Sequence, residues 1–485
     1  MATIVTSENA LHAENAIQPK RLERFDLLLA GAIGLLIVAI AAVILAGDRA
    51  GVGIGLLDLN SAVVNDSPLT LPSGSNIQLR FSEPMTTGSV HIRLTPDIPH
   101  NLRWVGSTLI VNPLPALTPG QHYSLSLDSG AIAQSGRQVT QALSWQINVE
   151  PLRVVYMAPA IPTSHDHVVN LWMVSANGLS TPEALTHSTY GIDDFAVSPS
   201  GRQIAFSERN VQGKTDLFLL NLVDNSIRQI TRCVDAPCRA PAWSPDQTRL
   251  LYERADSAAA DSSVRAWLLD LKTLQTAPLF SDSRWLGKTP RWSPDGSTVS
   301  VYDKTAGGIF IVDLASGNRS LLATLEDDSG QFAPGQRQQL AFRQLATTPH
   351  GAVRQLAVAD YSDHTIRPLL SPDGALTDDP IAIWQPDGKQ LTVMRRYFDQ
   401  RGTEGTQVYN VDSQTGEATP LVVDPTYTQG GLSWSPDGGQ LLMQRYPMVA
   451  SGGDSTGTTS LWRYDLASKT LTKLSTNGFL PQWLP

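Results

Sequence analysis

Cysteine is almost missing from this chain: 2 of 485 residues, Cys233 and Cys238. That scarcity excludes a scaffold held together by disulfides, and the spacing of the pair does not fit the usual thiolate metal motifs. One local bridge, or two buried thiols, is what remains open. Charge is sparse as well. Charged residues make up 17%, the net charge is −9, and no basic stripe appears, so an electrostatic footprint for nucleic acid is lacking. No Gly-x-Ser-x-Gly elbow exists, and the nearest string, Gly431 to Ser435, sits inside a repeated strand. No cofactor is implied, and no constellation of catalytic residues stands out.

Long apolar runs are also rare, with a single exception. Leu27 to Ala46 carries no charged or strongly polar side chain. About twenty helical residues at about 1.5 Å each match the hydrocarbon core of a bilayer. A transmembrane helix is therefore expected at residues 25–46. Lys20, Arg21 and Arg24 precede it and Arg49 follows, so the positive-inside rule puts a tail of residues 1–24 in the cytoplasm and the rest outside. Residues 47–60 read as a short Gly-rich tether.

Glycine (37) and proline (32) are abundant instead, and the pattern after residue 60 is that of a turn-rich β protein. Over residues 61–150, alternation puts Ile77, Leu79 and Phe81 on one strand face and Val90, Ile92 and Leu94 on another. Six or seven short strands with no helical period predict a β-sandwich. The strings Phe81 to Met85, Leu117 to Tyr123 and Ser144 to Ile147 resemble a bacterial Ig-like domain of the surface-layer type, which implies a spacer or adhesion module.

From residue 151 to 485 one motif recurs. Leu432 to Gly438 reads Leu-Ser-Trp-Ser-Pro-Asp-Gly, with copies at Arg291 to Gly296, Ala242 to Gln247, Ile383 to Gly388 and Val197 to Gly201. A worn copy, Phe332 to Gly335, fills the one gap. The period is about 40–52 residues, which signifies repeated supersecondary units. Proline presets the first corner of a tight turn, Asp bonds the local backbone, and Gly accepts a positive φ. Third strands are expected to end at Ser175, Asn221, Asp270, Asp313, Asp360, Asp412 and Asp465. Four strands per unit predict an all-β, seven-bladed β-propeller, or six blades if the repeat around Phe332 is not a true one. The first unit lacks a first strand, and Pro481 to Pro485 is a first strand without successor, so the chain's end is expected to close the ring. These repeats resemble the TolB-like, WD40-type propeller family, which implies the fold and leaves function open.

Short turns share one face of such a disc and long loops share the other, where binding residues concentrate. On that face Arg395, Arg396 and Tyr397 offer a clamp and stacking plane for an anionic ligand. Trp285 and Tyr427 offer aromatic contacts to sugar or peptide. His165, Asp166 and His167 are weak metal candidates, short of a fourth ligand; solvated loop side chains are the plainer reading. Together these features predict a membrane-anchored, extracytoplasmic binding or scaffolding protein of the bacterial cell envelope, with a protein or carbohydrate partner and more plausibly no enzyme. The alternatives are a carbohydrate-active lyase or hydrolase working in the propeller channel, and a signalling ectodomain.

Overall fold

The computed structural model describes residues 51–484, apart from 58–62, 65–67, 72–74, 115–116, 161–167, 234–235, 256–262, 336–337 and 449–458. Among the described residues the regular elements are all strands apart from one three-residue 3-10 turn, Thr87–Ser89. Two sheets, of five and four strands, come first and enclose one core that includes Ile77, Leu79, Phe81, Leu94, Tyr123 and Ile147. Ile54–Leu57 falls in the stretch expected to be a tether, yet it pairs antiparallel with Ile77–Phe81. Its side chains explain this: Leu56 and Leu57 are buried, and an unpaired backbone beside them would be left without partners.

Seven further four-stranded sheets follow, giving an all-β, propeller-like unit. We call these sheets blades one to seven. In blade one, Phe479–Leu484 pairs antiparallel with Arg153–Ala158, so the last strand completes the sheet that the first strands begin. The repeated motif forms the turn between the first and second strands. Gly296 and Gly438 take φ of 72° and 73° and donate to the carbonyls of Ser293 and Ser435, each at 2.9 Å. Asp295 accepts from the Ser293 hydroxyl at 2.6 Å and from the Ser297 amide at 3.0 Å, and these bonds hold its carboxyl below the usual range.

The aromatic residue before each turn joins neighbouring blades. Trp243 Nε1 donates to the Ala196 carbonyl at 3.0 Å, Trp292 to Ala242 at 3.1 Å, and Trp384 to Gln331 at 2.9 Å. Trp434 reaches Thr392 Oγ1 at 3.0 Å, and Trp483 reaches the Ser433 carbonyl at 2.9 Å. Each indole thus packs its apolar body between sheets and satisfies its one donor on the blade before it.

The anchored part of the expected architecture is corrected here. Among the described residues no helix is long and apolar enough to cross a membrane. Their apolar side chains instead alternate along short strands and are spent on blade and sandwich cores. The expected span at 25–46 lies outside the described residues. The membrane-tethered scaffold, its membrane contact and the single-pass placement with a cytoplasmic N-terminus find no support in the structure and are not carried forward.

Candidate functional site

The inner strands of the blades carry a bulge near their midpoint, and the bulges organise the channel. Register shifts fall between Arg239 and Ala242, between Lys288 and Arg291, and between Gly430 and Ser433. Ala240, Thr289 and Leu480 take positive φ of 51°, 48° and 49° at these positions or their equivalents. Each exposes an amide that the preceding blade must satisfy. Asp194 accepts from the Ala240 amide at 2.7 Å, Glu253 from Thr289 at 2.6 Å, and Gln444 from Leu480 at 3.2 Å. Burial raises the Asp194 carboxyl to about 6 against the lowering pull of its bonds from Ser207 and Ala240, and burial also raises Glu253. A raised carboxyl beside a channel invites a catalytic reading. Here one oxygen of each accepts from a bulge amide, and the other oxygen of Asp194 accepts from the Ser207 hydroxyl, so the role is to hold the bulges.

The worn repeat is where the wall changes. The inner strand of blade five, Gln331–Phe332, is two residues long, whereas that of blade six, Thr377–Trp384, has eight. Phe332 also lacks an indole donor, and its ring packs edge-on against Tyr361 at 5.7 Å between centroids. Beside this short inner strand lies the second strand, Gln339–Thr348, and its Ala341, Phe342 and Arg343 border an open space. A cavity of about 380 Å³ opens there, bordered by Arg291, Asp328, Gln331, Arg343 and Gln482 among polar residues and by Ile381, Ile383 and Leu432 among apolar ones.

Charges at this mouth alternate across three blades. Arg343 lies 3.2 Å from Asp328 and 3.7 Å from Glu326, and it also donates to the Pro380 carbonyl. Arg354 lies 3.3 Å from Glu326 and 3.4 Å from Asp378. Lys288 meets Asp327 at 2.8 Å, and Arg291 reaches Asp328 only at 3.7 Å. The Nε of Arg291 is buried and has no hydrogen-bond partner among the described residues. A buried guanidinium nitrogen left unpaired is costly, so this donor is poised for an acceptor entering the cavity.

The residues singled out from sequence do not converge on that cavity. Arg395 is 1% exposed and is locked inside blade six by Nε and Nη2 bonds to Asp379, at 2.7 and 2.8 Å, while its buried Nη1 has no hydrogen-bond partner among the described residues. Arg396 lies over the Phe398 ring at 4.6 Å. Tyr397 is buried, packs edge-on against Tyr409 at 5.3 Å, and is covered by Arg401 at 4.1 Å. Trp285 packs on Phe310 at 5.0 Å beneath Arg319 at 4.2 Å. Tyr427 is covered by Arg445 at 3.9 Å, and Arg445 is itself paired with Asp424. Cys233 and Cys238 form a disulfide, with Cα atoms 6.1 Å apart, in the core beneath Trp243. His165, Asp166 and His167 lie outside the described residues. Among the described residues no group of three or more His, Cys, Asp or Glu side chains is disposed to hold a metal ion.

Sequence reasoning missed the Glu326-Asp327-Asp328 triplet. A signal existed: three consecutive acids in a fourth-to-first loop, facing Lys288 and Arg291 on the preceding blade's inner strand.

No protein-family profile matches the chain, and no curated protein matches it by sequence. Solved β-propeller structures do resemble it, distantly. TolB from Acinetobacter baumannii aligns at 15% identity and a TM-score of 0.42, covering 81% of this chain and 83% of that one. An oligogalacturonate lyase from Vibrio parahaemolyticus aligns at 14% identity and 0.46, covering 67% and 86%. The β-propeller domain of the Trilobed protease from Pyrococcus furiosus aligns at 14% and 0.44, covering 60% and 85%. The likeness spreads over TolB, lyase and protease propellers and singles out none of them.

Proposed function

We propose that the channel is a carbohydrate-active site that takes an acidic sugar. The observation that carries this reading is the recess beside the short strand Gln331–Phe332, where Arg291, whose buried Nε has no hydrogen-bond partner among the described residues, borders a cavity of about 380 Å³. That volume lies within the range of small-ligand sites, about 300–1,000 Å³. A uronate presents a planar carboxylate, which a guanidinium meets with parallel N–H donors. Gln331 borders the same space and offers a donor and an acceptor for ring hydroxyls, while Gln482 beside it is held by the Val197 amide and the Phe195 carbonyl.

The groups also suit a reaction class. A guanidinium bound to the uronate carboxylate stabilises the charge that develops when the adjacent carbon loses its proton. Asp328, the one carboxylate bordering the cavity, is placed to accept that proton. The electron pair left behind forms a carbon–carbon double bond as the glycosidic oxygen departs, taking a proton from water. The products are a shortened chain and an unsaturated sugar. The test is incubation of the full chain with polygalacturonate and other uronate polymers, following the ultraviolet absorbance of the new conjugated double bond. The reading predicts an increase with wild type and none with Asp328→Asn. Binding of uronates with no absorbance change in any of them would reduce the site to a binding one. Neither binding nor turnover would sink it.

A further inference from the structure

The face that carries the Ser-Pro-Asp-Gly turns holds a second cavity, of about 650 Å³, between the sandwich and blades two and three. Its lining is unusual in composition. Six carboxamides border it: Asn76, Gln78 and Asn112 from the sandwich, and Gln203, Asn221 and Gln247 from the blades. Ser75, Ser200 and Arg202 complete the polar set, with no carboxylate and no aromatic ring.

Two features indicate that this crevice is more than a water-filled seam. Ser75 is 7% exposed, and its hydroxyl has no hydrogen-bond partner among the described residues. Buried hydroxyls are ordinarily paired, so this one is oriented for a group that enters the cavity. Gln247 is the second. It occupies the last position of the turn motif, where Gly201, Gly296, Gly388 and Gly438 stand in the other blades. Its φ is 60°, a conformation that a side chain disfavours and glycine accepts freely. The repeat's own glycine has been replaced at a backbone cost by a side chain that borders the cavity, and Ser200 Oγ donates to its Oε1 at 2.5 Å, holding it there. Strained residues of this kind persist where the surrounding structure has a use for them.

We propose that this crevice is a binding site for a neutral oligosaccharide. Asn76, Gln78, Asn112 and Gln203 each bring a donor and an acceptor in one plane, the pattern that matches neighbouring sugar hydroxyls, while Asn221 and Gln247, whose oxygens already accept from the Val223 amide and Ser200 Oγ, add N–H donors. With no carboxylate and a single guanidinium, the lining does not suit a cation. With no aromatic slot or deep apolar pocket, it offers little to anchor peptide side chains. The rings of Pro199 and Pro245 give flat apolar ground for the C–H face of a sugar. The site is separate from the channel, lies on the face opposite its charged mouth, and stands or falls independently of the uronate reading.

The test is calorimetric titration of the full chain with maltotetraose, cellotetraose and chitotetraose, using wild type, Gln247→Gly, Asn112→Ala and Arg291→Ala. At least one tetrasaccharide binds wild type, and Gln247→Gly weakens it tenfold or more with an unchanged or raised Tm, because the turn regains its glycine. Asn112→Ala, an exposed position that folding tolerates, weakens it as well, and Arg291→Ala has no effect. The proposal is overturned if none of the three binds at millimolar concentration. It is equally overturned if Gln247→Gly and Asn112→Ala both bind like wild type, or if an uncharged peptide displaces the sugar.

Discussion

Replacing Trp483 by alanine and by phenylalanine separates the two ways in which the last strand shuts the ring of sheets. Trp483 is 5% exposed and packs with Val154, Tyr156, Leu442 and Leu461 in the core between blades seven and one. Its indole nitrogen donates to the Ser433 carbonyl at 2.9 Å. Burial of about 200 Å² at about 25 cal/mol per Å² gives about 5 kcal/mol for the ring, and large-to-small core changes of this type cost about 3–5 kcal/mol. The hydrogen bond adds about 1–2 kcal/mol, mostly as the cost of leaving a buried carbonyl unpaired. Trp483→Phe keeps most of the area and loses the donor, so it is expected to cost about 1–2 kcal/mol, and Trp483→Ala about 4 kcal/mol. Urea unfolding of the full chain measures the totals. Hydrogen exchange localises them: amides of Phe479–Leu484 should lose protection first, because within its sheet this strand pairs only with Arg153–Ala158, which is itself held on its other side by Asn170–Ser175. A cost below about 1 kcal/mol for Trp483→Ala, or protection lost evenly over all blades, would refute the idea that this strand closes the ring.

Other perturbations probe other joints. Removing one partner of the buried Arg395–Asp379 pair, as in Arg395→Ala, should destabilise by about 3–5 kcal/mol, whereas the double change Arg395→Met with Asp379→Leu should recover most of it, as thermal unfolding would show. Asp194 has a carboxyl raised to about 6, so the folded chain keeps its proton over a range where the unfolded chain has released it. Stability therefore falls as pH rises from about 4 to about 6, by about 1–2 kcal/mol after allowing for partial exposure, and Asp194→Asn should flatten that slope in urea titrations at stepped pH. The Cys233–Cys238 bridge closes a very short loop, so Cys233→Ser with Cys238→Ser should cost only about 2 kcal/mol and leave the circular dichroism spectrum unchanged.

The scaffold was legible because its signals are local. Pro-Asp-Gly turns are written in consecutive residues, and those at Pro294, Pro386 and Pro436 fall between the first and second strands of a sheet, whereas the one at Pro372 lies between two blades. The third-strand ends at Ser175, Asn221, Asp270 and their equivalents were equally readable, since each is followed by a turn whose amides it caps. The site was not local. Arg395 and Arg396 beside Tyr397 look like a ligand clamp until Asp379, on the neighbouring strand, is seen to occupy the first of them. The acidic triplet at Glu326 to Asp328 sits in a short loop, and its partners Arg343 and Arg354 come from strands further along the chain, so no local pattern marks its pairing. The worn copy at Phe332 was recognised as a defect in the repeat. That the defect shortens an inner strand and opens the channel wall is a consequence of packing that no window of sequence contains. The apolar run at 25–46 illustrates the converse, a strong local signal for a span that is set aside because among the described residues no helix is long and apolar enough to cross a membrane.

The most direct test of the channel reading is calorimetric titration of the full chain with a uronate oligosaccharide at low and at high salt, repeated on Arg291→Ala. Binding that weakens with salt and falls at least tenfold in the variant is what the Arg291 guanidinium, paired with Asp328 only at 3.7 Å, predicts at the recess. Absence of binding, or binding that ignores both the salt and the substitution, would contradict it.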